Sequence, residues 1–195
     1  MENKKREEAI QLTNIYRIKL VNWKTCKTEA EVVLSQDGTS SYSSAEKKIK
    51  LAWNATERVR YHELGHEIFH AIQPNIRCTQ LLVWAAENTA DCTAEEFQAL
   101  LDLVKEEYVV TPEELTPISD YLGMLADERI PGYRCHRKGY SVQHEPNIFE
   151  NELFANVCGL IGSFNWRGVM VLMDICPKTL YSCLDVIDKA MHIND

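Results

Sequence analysis

Two histidines four residues apart, with a glutamate directly after the first, make up His62-Glu63-Leu64-Gly65-His66. On an α-helix such positions share a face, with Cβ atoms about 5–6 Å apart, so His62 and His66 are spaced to grip one zinc ion. Glu63 then stands beside the metal, placed to take a proton from a water bound there. The pattern occurs twice, because His66-Glu67-Ile68-Phe69-His70 repeats it. His70 lies about 12 Å of helical rise beyond His62, so one ion does not readily use all three histidines. Gly65 favours the first register, since a small residue there lets the helix pack tightly beneath the metal and against an adjacent strand. Glu67 is the rival base of the second register.

The third ligand must come from elsewhere in the chain. A glycine three residues after His66 and a histidine three further on would complete a three-histidine site, but Phe69 and Ile72 stand at those places. A carboxylate is therefore expected, with a polar residue one helical turn later to orient a ligand histidine. Glu152 with Asn156 and Glu87 with Asp91 both have that form. Glu152 sits among Leu153, Phe154, Ala155 and Val157, where an unpartnered carboxylate is costly and a cation would compensate it. Glu87 lies in a more polar stretch and is the alternative. Residues 131–147, rich in Gly and Pro and without periodicity, read as a loop bordering the site. Tyr140 and His136 are its candidates for steadying an oxyanion, with Tyr133 and His144 as further polar groups.

The elements that must position these groups follow from periodicity. Residues 3–22 predict a helix with Leu12, Ile15 and Ile18 on its apolar side. Glu31 to Leu34 is a short strand candidate, and a Ser/Thr-rich loop runs through Ser44. Lys48 to Trp53 alternates, with Ile49, Leu51 and Trp53 on one face, as a strand able to act as a sheet edge for an extended peptide. Asn54 and Glu57 resemble a capping box opening a helix over 56–72, which Pro74 follows. Helical patterns continue through 78–110 and from Thr111 onward, over Asn151 to Ile161, and after Pro177 with Leu180, Cys183, Leu184, Ile187 and Met191 at helical spacing. One domain over 1–195 is expected, mostly helical, with a small mixed sheet beside the histidine helix and a helical insertion at about 74–130.

Composition bounds the partners. A net charge of −8, with Lys4-Lys5-Arg6 as the lone basic cluster, argues against nucleic acid. No apolar run approaches the roughly 20 residues of a membrane span. Seven scattered cysteines without a C-x-x-C pair fit free thiols in a reducing compartment, and no secretory signal is visible, so a cytoplasmic location is expected.

In this order the motifs resemble a gluzincin metallopeptidase. More narrowly, they are similar to the metallopeptidase-like domain of phage minor head (Mu F-like head morphogenesis) proteins. The resemblance rests on Ile49-Lys50-Leu51, His62 to His66, Ser119-Asp120-Tyr121, Gly132 to His136 and Glu152-Leu153-Phe154-Ala155-Asn156. It implies a zincin-like α+β fold and a zinc ion on His62, His66 and Glu152, with Glu63 as base. It also implies a peptide or protein substrate, a phage or prophage partner, and a virion-associated location if the domain belongs to a head. A non-catalytic metallopeptidase-like module of such a system and an ImmA/IrrE-type regulatory peptidase are the alternatives.

Overall fold

The computed structural model describes residues 2–72, 148–175 and 177–192. The expected insertion at 74–130 and the loop 131–147 lie outside them. Among the described residues the fold is α+β: five helices and a three-stranded mixed sheet, in the order α1 (Glu2–Cys26), β1 (Glu31–Leu34), β2 (Ser41–Ser43), β3 (Lys48–Leu51), α2 (Glu57–Ile72), α3 (Ile148–Gly162), α4 (Trp166–Ile175) and α5 (Pro177–Met191).

Helix α1 buries Ala9, Thr13, Leu20 and Trp23, with Leu12 and Tyr16 packed partly against the core. Ile15 and Ile18, expected on the apolar side, are 49% and 61% exposed. Spacings of three and four residues from Ala9 lead to Thr13, Tyr16, Leu20 and Trp23, and that stripe faces the later helices. The two isoleucines fall beside it. Long-range bonds fix the stripe in place. Arg17 Nε donates to the Gly162 carbonyl at 3.0 Å, the Tyr16 hydroxyl to Asp188 Oδ2 at 2.9 Å, and Lys27 Nζ to the Met191 carbonyl at 2.6 Å.

The sheet has the order β1-β3-β2. Strand β1 pairs parallel with β3, from Glu31 opposite Lys48 to Leu34 opposite Leu51. Strand β2 pairs antiparallel, with Tyr42 opposite Ile49. The β2–β3 turn places Lys47 at a φ of 46°, where Nζ of the same residue pairs with Glu29. Because β3 carries a neighbour on each side, it is not the free edge expected for it. Among the described residues, β1 and β2 are the outer strands instead. Trp53 lies beyond the strand and is 78% exposed. Strand β2 falls in the segment expected to be a loop; with two serines in three residues it shows little apolar signal.

Helix α2 begins one residue later than expected, and Thr56 caps it. The Val59 N–H reaches Thr56 Oγ1 at 3.4 Å, and the Arg60 N–H donates to the Thr56 carbonyl at 3.1 Å. The capping role expected of Asn54 is therefore filled two residues on. Helix α3 is buried from Glu150 through Ile161 and packs along α2, while α1, α4 and α5 close around it. Such a helix must be apolar around most of its circumference, and this one is.

Glycines let α2 and α3 approach. A Cβ on Gly65 would stand 2.8 Å from the Ala155 Cα and 2.9 Å from the Cys158 Cβ; one on Gly162 would stand 2.0 Å from the Tyr61 ring. Gly65 thus packs against a helix, not against the strand expected from the sequence. Helix α4 has no counterpart among the expected elements. Helix α5 matches its apolar spacing, with Leu180, Cys183, Leu184 and Ile187 all buried.

Candidate metal centre

The close approach of α2 and α3 brings His62, His66 and Glu152 together. Their Nε2 and carboxylate atoms all lie within 4.8 Å of one another. The two Nε2 atoms are 3.2 Å apart, and Glu152 Oε2 is 3.5 Å from that of His62 and 3.8 Å from that of His66. Gly159 of α3 makes room behind His62, whose Cβ is 3.5 Å from the place a glycine side chain would begin. Glu152 is only 4% exposed and His66 9%. Taking a carboxylate that far out of water requires compensation by a positive charge or several hydrogen bonds.

Asn151, one residue ahead of Glu152, determines how the His66 ring is used. Its Oδ1 lies 2.8 Å from His66 Nδ1 and its Nδ2 lies 3.2 Å from His70 Nε2. The amide can satisfy both contacts in one way: Oδ1 accepts from a proton on His66 Nδ1, and Nδ2 donates to His70 Nε2. His66 Nε2 then carries a lone pair and faces the cluster. A ligand imidazole needs this arrangement, one nitrogen free for a metal and the other held by an oxygen acceptor. Asn156, the residue expected to orient a histidine, instead donates Nδ2 to the Glu152 carbonyl at 3.1 Å. Asn151 was not singled out from the sequence. The signal it offered was the polar pair Asn151-Glu152 in an otherwise apolar helix.

Two nitrogen donors and one oxygen donor, converging and largely buried, are a set that could hold a metal ion. Glu63, also on α2, is 6% exposed. Its pKa is pushed up to about 7, chiefly by burial and secondarily by the nearby Glu152, while His66 and Arg58 pull the other way. A carboxyl held near neutrality can both accept and return a proton at physiological pH.

The second register of the motif has different duties. Glu67 Oε1 accepts the backbone N–H of Glu29 at 2.9 Å and of Ala30 at 3.2 Å, tying the turn before β1 to α2. Burial raises the Glu67 pKa, and those two amides with the Thr28 hydroxyl oppose the rise. His70 meets Asn151 and packs its ring against Tyr42 at 5.6 Å between centroids. Of the site residues expected from the sequence, His62, Glu63, His66 and Glu152 lie in the described regions. Glu87, Asp91, Tyr133, His136, Tyr140 and His144 lie outside them.

No protein-family model matches the chain, and neither does a curated protein or a solved structure. No helix among the described residues is long and apolar enough to cross a membrane.

Proposed function

We propose that the protein is a zinc-dependent endopeptidase of the gluzincin type, with a zincin-like fold. The observation that carries this reading is the convergence of His62 Nε2, His66 Nε2 and Glu152 Oε2, with Glu63 on the same helix. His62, His66 and Glu152 would hold the ion, which when bound supplies a Lewis acid that polarises a scissile carbonyl and acidifies water. Three protein ligands leave a coordination position for reactants, as hydrolytic zinc sites require. Glu63 accepts the proton of the attacking water and returns it to the departing amine. Asn151 keeps the His66 proton on Nδ1 and so keeps Nε2 available. A peptide could pair in extended form with β2, an outer strand whose Tyr42 ring packs on His70 of α2. The motif order suggests a phage or prophage setting for the substrate.

The test is direct. Purified protein should carry close to one zinc per chain, and Glu63→Gln should keep the zinc while losing about 10²- to 10⁴-fold in peptide hydrolysis. Absence of zinc, or zinc without any Glu63-dependent cleavage, would overturn the peptidase reading; the second result would leave a non-catalytic metal-binding module.

A further inference from the structure

Asn151 joins two histidine rings, and the two ends of its amide are unlike. Its Oδ1 stands 2.8 Å from His66 Nδ1, and its Nδ2 stands 3.2 Å from His70 Nε2. The oxygen only accepts and the nitrogen only donates, so the two ring nitrogens must play opposite parts. With a proton on His66 Nδ1, His70 Nε2 is bare. With the amide turned over, His66 Nδ1 is bare and His70 Nε2 carries a proton. A neutral imidazole holds one N–H, so each proton moves between the nitrogens of its own ring and neither ring changes charge. Asn151 is buried, and mixing the two arrangements would set one end of its amide against a like group, at a cost of about 1–3 kcal/mol.

The two arrangements differ at the metal centre. In the first, His66 Nε2 is a lone pair, 3.2 Å from His62 Nε2 and 3.8 Å from Glu152 Oε2. His62 Nδ1 is buried without a hydrogen-bond partner among the described residues, so the proton of that ring is better kept on Nε2, where His66 can accept it. In the second, His66 Nε2 carries a proton and has nothing to offer a metal. His70 stands outside the cluster, one helical turn beyond His66, and its ring packs against Tyr42 of β2 at 5.6 Å between centroids. We propose that His70 is a positioning residue for the metal centre: its bare Nε2 takes the Asn151 N–H, and the amide so held makes His66 present a lone pair to the ion. This role rests on His62, His66 and Glu152 being the ligands, but the coupling of the two rings belongs to the metal-free chain as well. The second copy of the histidine motif then serves the first.

Nitrogen spectra of the full chain, ¹⁵N-labelled at histidine and stripped of metal by a chelator, read the place of each proton. Protonated and bare ring nitrogens resonate far apart, and the two rings are identified by the loss of their signals in His66→Gln and His70→Leu. The expected result is a proton on His66 Nδ1 together with a bare His70 Nε2. In His70→Leu, which gives Asn151 no acceptor, His66 should spread over both tautomers, and zinc affinity, read by competition with a chromophoric chelator, should fall about tenfold. His70→Gln, whose carbonyl oxygen can take the Asn151 N–H, should restore both. His70→Lys, which can only donate, should turn the amide over and exchange the two His66 nitrogen signals, a result that lost packing does not produce. A wild-type His66 with its proton on Nε2, protons found together on His66 Nδ1 and His70 Nε2, or His66 signals that neither His70→Leu nor His70→Lys moves would each overturn the proposal. If those variants fail to fold, the wild-type spectrum still decides through the pairing of the two rings. Paired rings in a chain that takes up no zinc would overturn the ligand assignment and leave the coupling standing.

Discussion

A single side-chain amide decides which nitrogen of His66 is available. Asn151 meets His66 Nδ1 at 2.8 Å and His70 Nε2 at 3.2 Å, so turning it over would require both rings to exchange their donor and acceptor roles. Asn151→Ala should therefore weaken zinc binding by about 10- to 100-fold, read by competition with a chromophoric chelator, while leaving the three ligands in place. Asn151→Asp, which keeps an oxygen at His66, should recover much of that affinity. At this scale the sequence was informative where spacing along one helix carried the message: His62, Glu63 and His66 could be read from a helical turn alone. Glu152 was legible because a lone carboxylate amid Leu153, Phe154 and Val157 calls for a partner. Asn151 and the anchoring role of Glu67 were not legible. Both depend on groups 85 and 37–38 residues away, and no local pattern reports such distances.

Between elements, the fit of α2 against α3 controls the site more than either helix does alone. Gly65→Ala would bring a methyl group to 2.8 Å from a backbone atom of α3, which cannot swing aside as a side-chain tip could. The helices must separate, at a cost of about 1–3 kcal/mol, seen as a lower urea midpoint. Separation also carries Glu152 away from His62 and His66, so the same variant should bind zinc more weakly than its loss of stability alone would suggest. The helices themselves were predictable from periodicity, α5 most fully. The face of α1 was misread because its outward isoleucines look as apolar as its inward side, and only the neighbours decide which side is covered. Strand β2 escaped notice because pairing with β3, not an apolar pattern of its own, makes it a strand.

For the molecule as a whole, α1 is joined to α5 across the chain by ionisable groups, and this gives stability a pH dependence. Burial, followed by the hydrogen bond to Asp188 and its charge, pushes the Tyr16 phenol up to about 12. Burial and then the charge of Glu67 do the same for Tyr42. Below about pH 10 both phenols are protonated whether the chain is folded or not, and their contribution is fully present. Above that the unfolded chain loses its phenol protons first, so stability should fall as pH rises from about 10 to about 12. Urea midpoints at pH 9 and pH 11 measure the fall, and Tyr16→Phe should make it shallower, since the hydroxyl proton that titrates is then gone from both states.

The anchoring of the 29–30 turn by Glu67 also has a kinetic consequence. The amide protons of Glu29 and Ala30 are held by a side chain of α2, whereas those along β1 depend on pairing with β3. In deuterium solvent the two sets should therefore exchange through different openings. Fraying of the outer strand releases the β1 amides, but Glu29 and Ala30 become exposed when the turn lifts from α2. Their exchange rate is thus a clock for the parting of sheet and histidine helix, and Glu67→Ala should speed it while the β1 amides keep closer to their own pace.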